Sequence, residues 1–232
     1  MSLSLTQSSK MELKMSPTAM YSEKLDSYLD KILPPRPPVV LEMEKLADEK
    51  KFPIIGPHVG RLLTVFAQTI NAARIFEMGS GYGYSAFWFG LGLAQDGKIT
   101  LTDGSEDNRT LSAHYLSLLK MEDSVEFKVG DATKLLENEK GTFDIIYNDV
   151  DKEQYPQAYR AAVDKLRPGG LFITDNVLWD GKVAEDNPDE ATAGVLEFNR
   201  LLFGDRHFFS SIIPIRDGLL VAVKQEIQPP AI

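Results

Sequence analysis

The stretch Phe143-Asp144-Ile145-Ile146-Tyr147-Asn148-Asp149-Val150-Asp151-Lys152 is apolar apart from Asp144 until it turns abruptly polar. It reads as a buried strand that ends in two acids and a lysine. A second strand, Leu171-Phe172-Ile173-Thr174, ends the same way, in Asp175-Asn176. In a parallel α/β sheet, ligands bind beyond the carboxyl ends of strands, so both polar clusters are expected to open onto one crevice. Asp149, Asp175 and Asn176 together offer three hard oxygen donors, and Lys152 stands one short turn away. That set suits a divalent cation holding an oxygen-bearing substrate beside a general base. The plainer alternatives are a capping Asp175, a turn-forming Asn176 and a Lys152 that merely pairs with Asp149 or Asp151.

Outward from this stretch the pattern alternates strand and helix. Strands are expected at 73–78, 98–102, 124–129, 143–148 and 170–175, with helices at 83–94, 106–120, 132–138, 153–166 and 191–203. Two last strands, near 207–213 and 217–224, flank the turn Pro214-Ile215-Arg216-Asp217-Gly218. Such alternation predicts a parallel sheet covered by helices on both faces, and a closing hairpin makes the last strand antiparallel. Before it, residues 21–32, 39–50 and 58–70 carry helical spacing, interrupted by Pro34-Pro35-Arg36-Pro37-Pro38 and by the loop Phe52 to Pro57. Residues 1–18 are Ser-rich and aperiodic, and read as a loose arm. The expected organisation is one domain over 1–232, with helices over 19–70 and the sheet over 71–224.

The chain has 232 residues, 43% hydrophobic and 25% charged, with a net charge of −9. That balance fits a globular α/β domain and argues against a nucleic-acid partner held by charge. The absence of cysteine removes disulfides, thiolate zinc sites and a thiol nucleophile. No run is long and apolar enough to span a bilayer, and the N-terminus lacks a signal-peptide core. The expected location is the cytoplasm.

Three further motifs sit at strand ends. Glu77-Met78-Gly79-Ser80-Gly81-Tyr82-Gly83 follows the first strand and opens a helix, where glycines permit a tight turn and close approach of a ligand. Its spacing is G-x-G-x-G, not the dinucleotide G-x-G-x-x-G, and Glu77 offers a partner for an ammonium. Asp103 ends the second strand, where an acid can accept from ribose hydroxyls or simply be a solvated loop residue. In Gly130-Asp131-Ala132, Asp131 reads equally as an acceptor for an adenine amine or as a helix N-cap.

From about residue 39 to 224 the chain resembles the cation-dependent class I S-adenosylmethionine O-methyltransferases, the family of caffeoyl-CoA and catechol O-methyltransferases. The resemblance rests on Glu77 to Ser85, Gly130-Asp131-Ala132, Asp149-Val150-Asp151-Lys152, Asp175-Asn176-Val177-Leu178-Trp179-Asp180-Gly181-Lys182-Val183 and Pro214 to Gly218. It implies a Rossmann-like seven-stranded methyltransferase sheet of order 3-2-1-4-5-7-6, and a homodimer. It implies a metal (Mg²⁺, with Mn²⁺ and Ca²⁺ as alternatives) on Asp149, Asp175 and Asn176, with Lys152 as base. Cofactor contacts would come from Glu77, Gly79, Ser85, Asp103, Asp131, Ala132 and Asp151. The expected reaction is methyl transfer from S-adenosylmethionine to one hydroxyl of a vicinal dihydroxy aromatic, with Trp179 and the loops near 34–57 and 178–190 walling the ring.

Three positions depart from the family pattern. Asn148 replaces an apolar residue, and is expected to touch substrate or a neighbouring backbone. The loop Phe52 to Pro57 lacks a Met-containing pattern. The insertion that recognises coenzyme A esters is not apparent, which favours a small free phenol. Two rival functions are a tRNA hydroxyuridine methyltransferase, disfavoured by the acidic balance, and a nicotinamide-dependent dehydrogenase, disfavoured by the glycine spacing.

Overall fold

The computed structural model describes residues 23–226, so the arm read at 1–18 lies outside the described residues. Three helices come first: α1 (Glu23–Ile32), α2 (Pro38–Lys50) and α3 (Gly56–Thr69). The proline run separates α1 from α2, and Pro38 opens α2, where a missing N–H leaves no bond unmade. α3 begins at Gly56, two residues earlier than its spacing predicts, because Pro57 fits a first helical turn as well as a loop.

The sheet region then runs β1 (Arg74–Met78), α4 (Tyr84–Gly92), β2 (Lys98–Asp103), α5 (Glu106–Leu118), β3 (Val125–Val129), α6 (Ala132–Asn138), β4 (Phe143–Asn148), α7 (Tyr155–Lys165), β5 (Leu166–Thr174), α8 (Glu190–Gly204), β6 (Phe208–Ile213) and β7 (Leu219–Lys224). The strand order is β3-β2-β1-β4-β5-β7-β6, as the resemblance implies. β1 to β5 pair in parallel, and β7 alone runs antiparallel to its neighbours β5 and β6.

The expected helix at 153–166 and strand at 170–175 divide differently. A 3₁₀ turn at Lys152–Gln154 precedes α7, and β5 starts at Leu166, opposite Phe143. Arg167-Pro168-Gly169-Gly170 reads as a break in the sequence. The register instead shifts between Phe143 and Ile145, and Gly169 takes φ 71°, so an irregularity absorbs the glycines within the strand.

Two apolar layers sandwich the sheet. Along β4, Ile145 and Tyr147 face the layer built with α2 to α5, while Phe143 and Ile146 face the layer built with α6 to α8. Burial of each such side chain contributes about 1.5–3 kcal/mol. The same register sets the site: Met78 lies beside Asn148, and Asn148 beside Thr174. The next residue on each strand, Gly79, Asp149 and Asp175, therefore leaves the sheet at one level.

Candidate active site

The strand ends open onto a cleft of about 1170 Å³. Every site residue expected from the sequence lines it: Glu77, Gly79, Ser85, Asp103, Asp131 and Ala132 on one side, Asp149, Asp151, Lys152, Asp175 and Asn176 on the other. The loop from Met78 folds tightly: the N–H groups of Gly79 and Ser80 both donate to the Thr102 carbonyl, at 3.0 and 2.9 Å. Gly79 has φ 81°, and a Cβ there would stand 2.4 Å from the Asp149 carbonyl oxygen. Only glycine lets the first loop pass so close to the end of β4.

Glu77 is fully buried at the floor of this loop. The Ser85 hydroxyl donates to its Oε1, and Oε2 has no partner among the described residues. Burial, reinforced by the charges of Asp149 and Asp103 and opposed by the Ser85 hydrogen bond, raises its carboxyl to about 8.

Asp103 is not a free loop carboxylate. Its Oδ1 accepts from the Ser105 N–H at 2.8 Å and from Asn108 Nδ2 at 3.0 Å, and its Oδ2 accepts from the Gly81 N–H at 3.0 Å. The solvated-loop alternative is thereby overturned, since the carboxylate braces the glycine loop, and Oδ2 keeps capacity for a further donor. Asp131 caps α6 by accepting from the N–H groups of Thr133 and Lys134, at 3.0 and 3.2 Å. Those bonds, that of Lys134 foremost, hold its carboxyl below the usual carboxylate range. Asp131 is thus a cap that also lines the cleft. Asp151 is exposed at the rim, before the turn that carries Lys152.

At the other end, Lys152 Nζ donates to Asp149 Oδ1 at 3.2 Å and to Asn176 Oδ1 at 3.0 Å. Its ammonium also lies 5.0 Å from the centre of the Tyr155 ring and 5.4 Å from that of Trp179. Tyr155 in turn donates its hydroxyl to the Asp175 carbonyl at 2.8 Å. Asn176 has φ 55°, a left-handed value that asparagine tolerates better than most residues. Burial raises the carboxyls of both Asp149 and Asp175, and the positive charge of Lys152 opposes that rise in both.

The O-methyltransferase family model matches residues 38–225. The chain belongs to that family. A catechol O-methyltransferase of Niastella koreensis is 28% identical over 213 residues, covering 87% of this chain and 96% of that one. Caffeoyl-CoA O-methyltransferase 2 of Populus trichocarpa is 29% identical over 217 residues, covering 86% and 88%. Among solved structures, the Bacillus cereus O-methyltransferase in complex with SAH superposes with a TM-score of 0.80 at 27% identity, covering 87% and 97%.

The residues of this O-methyltransferase fit both groups that the resemblance implies. Glu77 Oε2 is a buried acceptor without a partner among the described residues, at the foot of the glycine loop, the place for a methionine-type ammonium. Asp149 and Asn176 both reach a single cationic centre, the Lys152 ammonium, and Asp175 stands at the neighbouring strand end. An all-oxygen set of this kind accepts Mg²⁺, Mn²⁺ or Ca²⁺. Among the described residues no three His, Cys, Asp or Glu side chains gather as metal ligands; the donors here are two carboxylates and an amide.

Three expectations need correction or completion. Asn148 neither lines the cleft nor hydrogen-bonds a backbone group: it is fully buried, and both its side-chain polar atoms lack partners among the described residues. It shares a strand face with Ile146, so the period-2 alternation turns it into the α6–α8 layer. The loop after α2 does wall the cleft, through Phe52 to Ile55, with the Phe52 ring 5.0 Å from that of Tyr82. Pro34 to Pro37 line a separate groove of about 210 Å³ with Trp88 and Leu91. Trp179 lines the main cleft as expected. Arg216 also lines it, although sequence reasoning assigned it to the turn alone; a basic residue inside Pro-Ile-Arg-Asp-Gly was the only available signal.

Proposed function

We propose that the protein transfers a methyl group from S-adenosylmethionine to one hydroxyl of a small catechol-type aromatic, with a divalent cation. The observation that carries this reading is the meeting of Asp149, Asn176 and Lys152 within hydrogen-bonding distance, in one cleft with a Glu77 oxygen that has no partner among the described residues. The relatives named as catechol and caffeoyl-CoA O-methyltransferases support it.

Glu77 and the Gly79–Gly83 loop would hold the methionine end of the donor, and Asp103, Asp131 and Ala132 would border its nucleoside end. Asp149, Asp175 and Asn176 would hold the cation. When bound, the donor supplies an electrophilic methyl and the cation supplies Lewis acidity and a template for two vicinal oxygens. Lys152, as the neutral amine, would accept the proton of the reacting hydroxyl at Nζ and become the ammonium that Asp149 and Asn176 hold; the oxygen so freed would take the donor's methyl, and the donor's sulfur would leave as the neutral thioether. Trp179 and Phe52 exclude water and orient the ring, which places the reactants for an effectively intramolecular step.

The test is methyl transfer to a panel of catechols, flavonoids and caffeate derivatives, with Mg²⁺ or Mn²⁺ and with excess chelator. The expected result is turnover with metal, loss with chelator, and loss of cation-stimulated turnover in Asp149→Ala and Asp175→Ala. Full activity in chelator overturns the metal-assisted reading.

A further inference from the structure

Lys152 and Arg216 are the only basic side chains among the described residues lining the cleft, and every other charged residue there is acidic. Lys152 is engaged by Asp149 and Asn176. Arg216 is not engaged by any carboxylate among the described residues; its Nη1 donates to the Ile54 carbonyl at 2.8 Å, and the rest of its donor fork is unused.

The seat of this arginine is built from distant parts of the chain. Ile54 lies in the loop before α3, and Arg216 in the turn between β6 and β7. The guanidinium also lies over Gly56, where a Cβ would come within 2.8 Å of Nη1. Arg216 itself takes φ 49°, a left-handed conformation that costs a non-glycine residue about 1 kcal/mol or more. A glycine would fill that turn position without strain, so the position gives up backbone ease and keeps a cation.

We infer that Arg216 is a specificity residue that pairs with an anionic arm of the acceptor, making the preferred substrate a catechol that carries a carboxylate, such as a dihydroxybenzoate or dihydroxycinnamate. The inference rests on the catechol methyltransferase reading above. A planar fork matches a carboxylate by two parallel hydrogen bonds, which an ester or an alkyl group cannot reproduce. Without that cation, the acidic lining would repel a carboxylate. With it, the same lining leaves one place for the anion.

The experiment compares 3,4-dihydroxybenzoate with its methyl ester in wild type, Arg216→Gln and Arg216→Lys. Calorimetry on the Mg²⁺- and S-adenosylhomocysteine-loaded protein reads binding, and kcat/KM reads transfer. Wild type is expected to prefer the acid by roughly ten- to hundredfold, the worth of a charge-assisted pair. Arg216→Gln should collapse that preference through KM, and Arg216→Lys should restore part of it. Equal wild-type binding of acid and ester overturns the Arg216 inference, as does a preference that survives in Arg216→Gln. The catechol reading fails separately, if wild type transfers methyl to neither compound nor to any neutral catechol, and calorimetry still judges Arg216 in that case.

Discussion

The Lys152 ammonium lies 3.0 Å from the side-chain oxygen of Asn176, so one cation ties the turn after β4 to the turn after β5. The same nitrogen donates to Asp149 at 3.2 Å. On the proposed mechanism, this nitrogen as the neutral amine would take the proton of the reacting hydroxyl. Lys152→Met is expected to lower the single-turnover rate by roughly 10²–10⁴, the usual worth of a positioned base. Affinity for S-adenosylhomocysteine should change by less than about threefold, because none of the hydrogen bonds of Lys152 among the described residues reaches the glycine loop. Rapid-quench transfer and calorimetry read the two quantities, and an undiminished rate would make Lys152 a structural tie only.

Glu77 gives a prediction in pH. Its carboxyl is raised from 4.5 to about 8, chiefly by burial. The folded chain therefore keeps a proton that the unfolded chain releases, and the stability this contributes is lost as pH climbs from about 4.5 through about 8. Glu77→Gln removes the titration. The thermal midpoint of wild type, relative to the variant, should fall between about pH 5 and about pH 9. Binding of an ammonium-bearing ligand should pull the proton off. Calorimetry of S-adenosylhomocysteine near neutral pH, in buffers of different ionisation enthalpy, should read up to about one proton released in wild type and none in the variant. Identical buffer dependence in the two proteins would remove Glu77 from the ammonium site.

The strand ends were legible because two independent patterns coincide there. Continuous apolar runs located β4 and β5, and acids at the exit of a parallel strand point to a ligand crevice. Asp149, Asp175, Asn176 and Lys152 could therefore be placed on one cleft from spacing alone. The Arg216–Ile54 contact could not, since it joins residues 162 apart and no local pattern encodes that approach. Asn148 misled for a related reason. A polar residue at a strand end suggests the site, yet alternation alone turned it inward. Asp131 stayed open between capping and ligand contact because both uses require the same oxygen at the same helix start.

Asp144, the sole break in the apolar run of β4, works at the opposite end of the sheet. Its Oδ2 accepts from the N–H groups of Ala73 and Arg74 at 2.8 and 2.7 Å, and its Oδ1 accepts from Arg167 Nε at 2.5 Å. It thus clamps the start of β1 to β5. Asp144→Ala leaves two backbone donors and an arginine without their acceptor, at a cost of about 2 kcal/mol, part of which water recovers at this half-exposed edge. For a chain of this length that lowers Tm by about 4–8 °C. Asp144→Asn, which keeps one acceptor oxygen, should lose less, and kcat should stay within about twofold in both. An unshifted Tm in the alanine variant would show that solvent replaces the clamp.

Gly194 sits inside α8, where alanine is the better helix former by about 1 kcal/mol. Propensity alone therefore predicts that Gly194→Ala stabilises the protein. The packing opposes this: a Cβ at 194 would stand 2.4 Å from the Lys152 carbonyl oxygen and 2.9 Å from the Glu153 Cα. Both contacts are backbone, so no rotamer change relieves them, and overpacking of this kind costs about 1–3 kcal/mol. The clash should win. Gly194→Ala is expected to lower Tm by a few degrees and to push the 3₁₀ turn that carries Lys152 toward the cleft. Transfer should slow by about tenfold or more, since a shift of about 1 Å at a reacting group is enough to do so. Cofactor affinity should hold, because the glycine loop belongs to the other side of the cleft. Thermal melts, calorimetry and single-turnover rates on one variant separate these effects, and a raised Tm with unchanged rate would show that α8 shifts away from the turn instead.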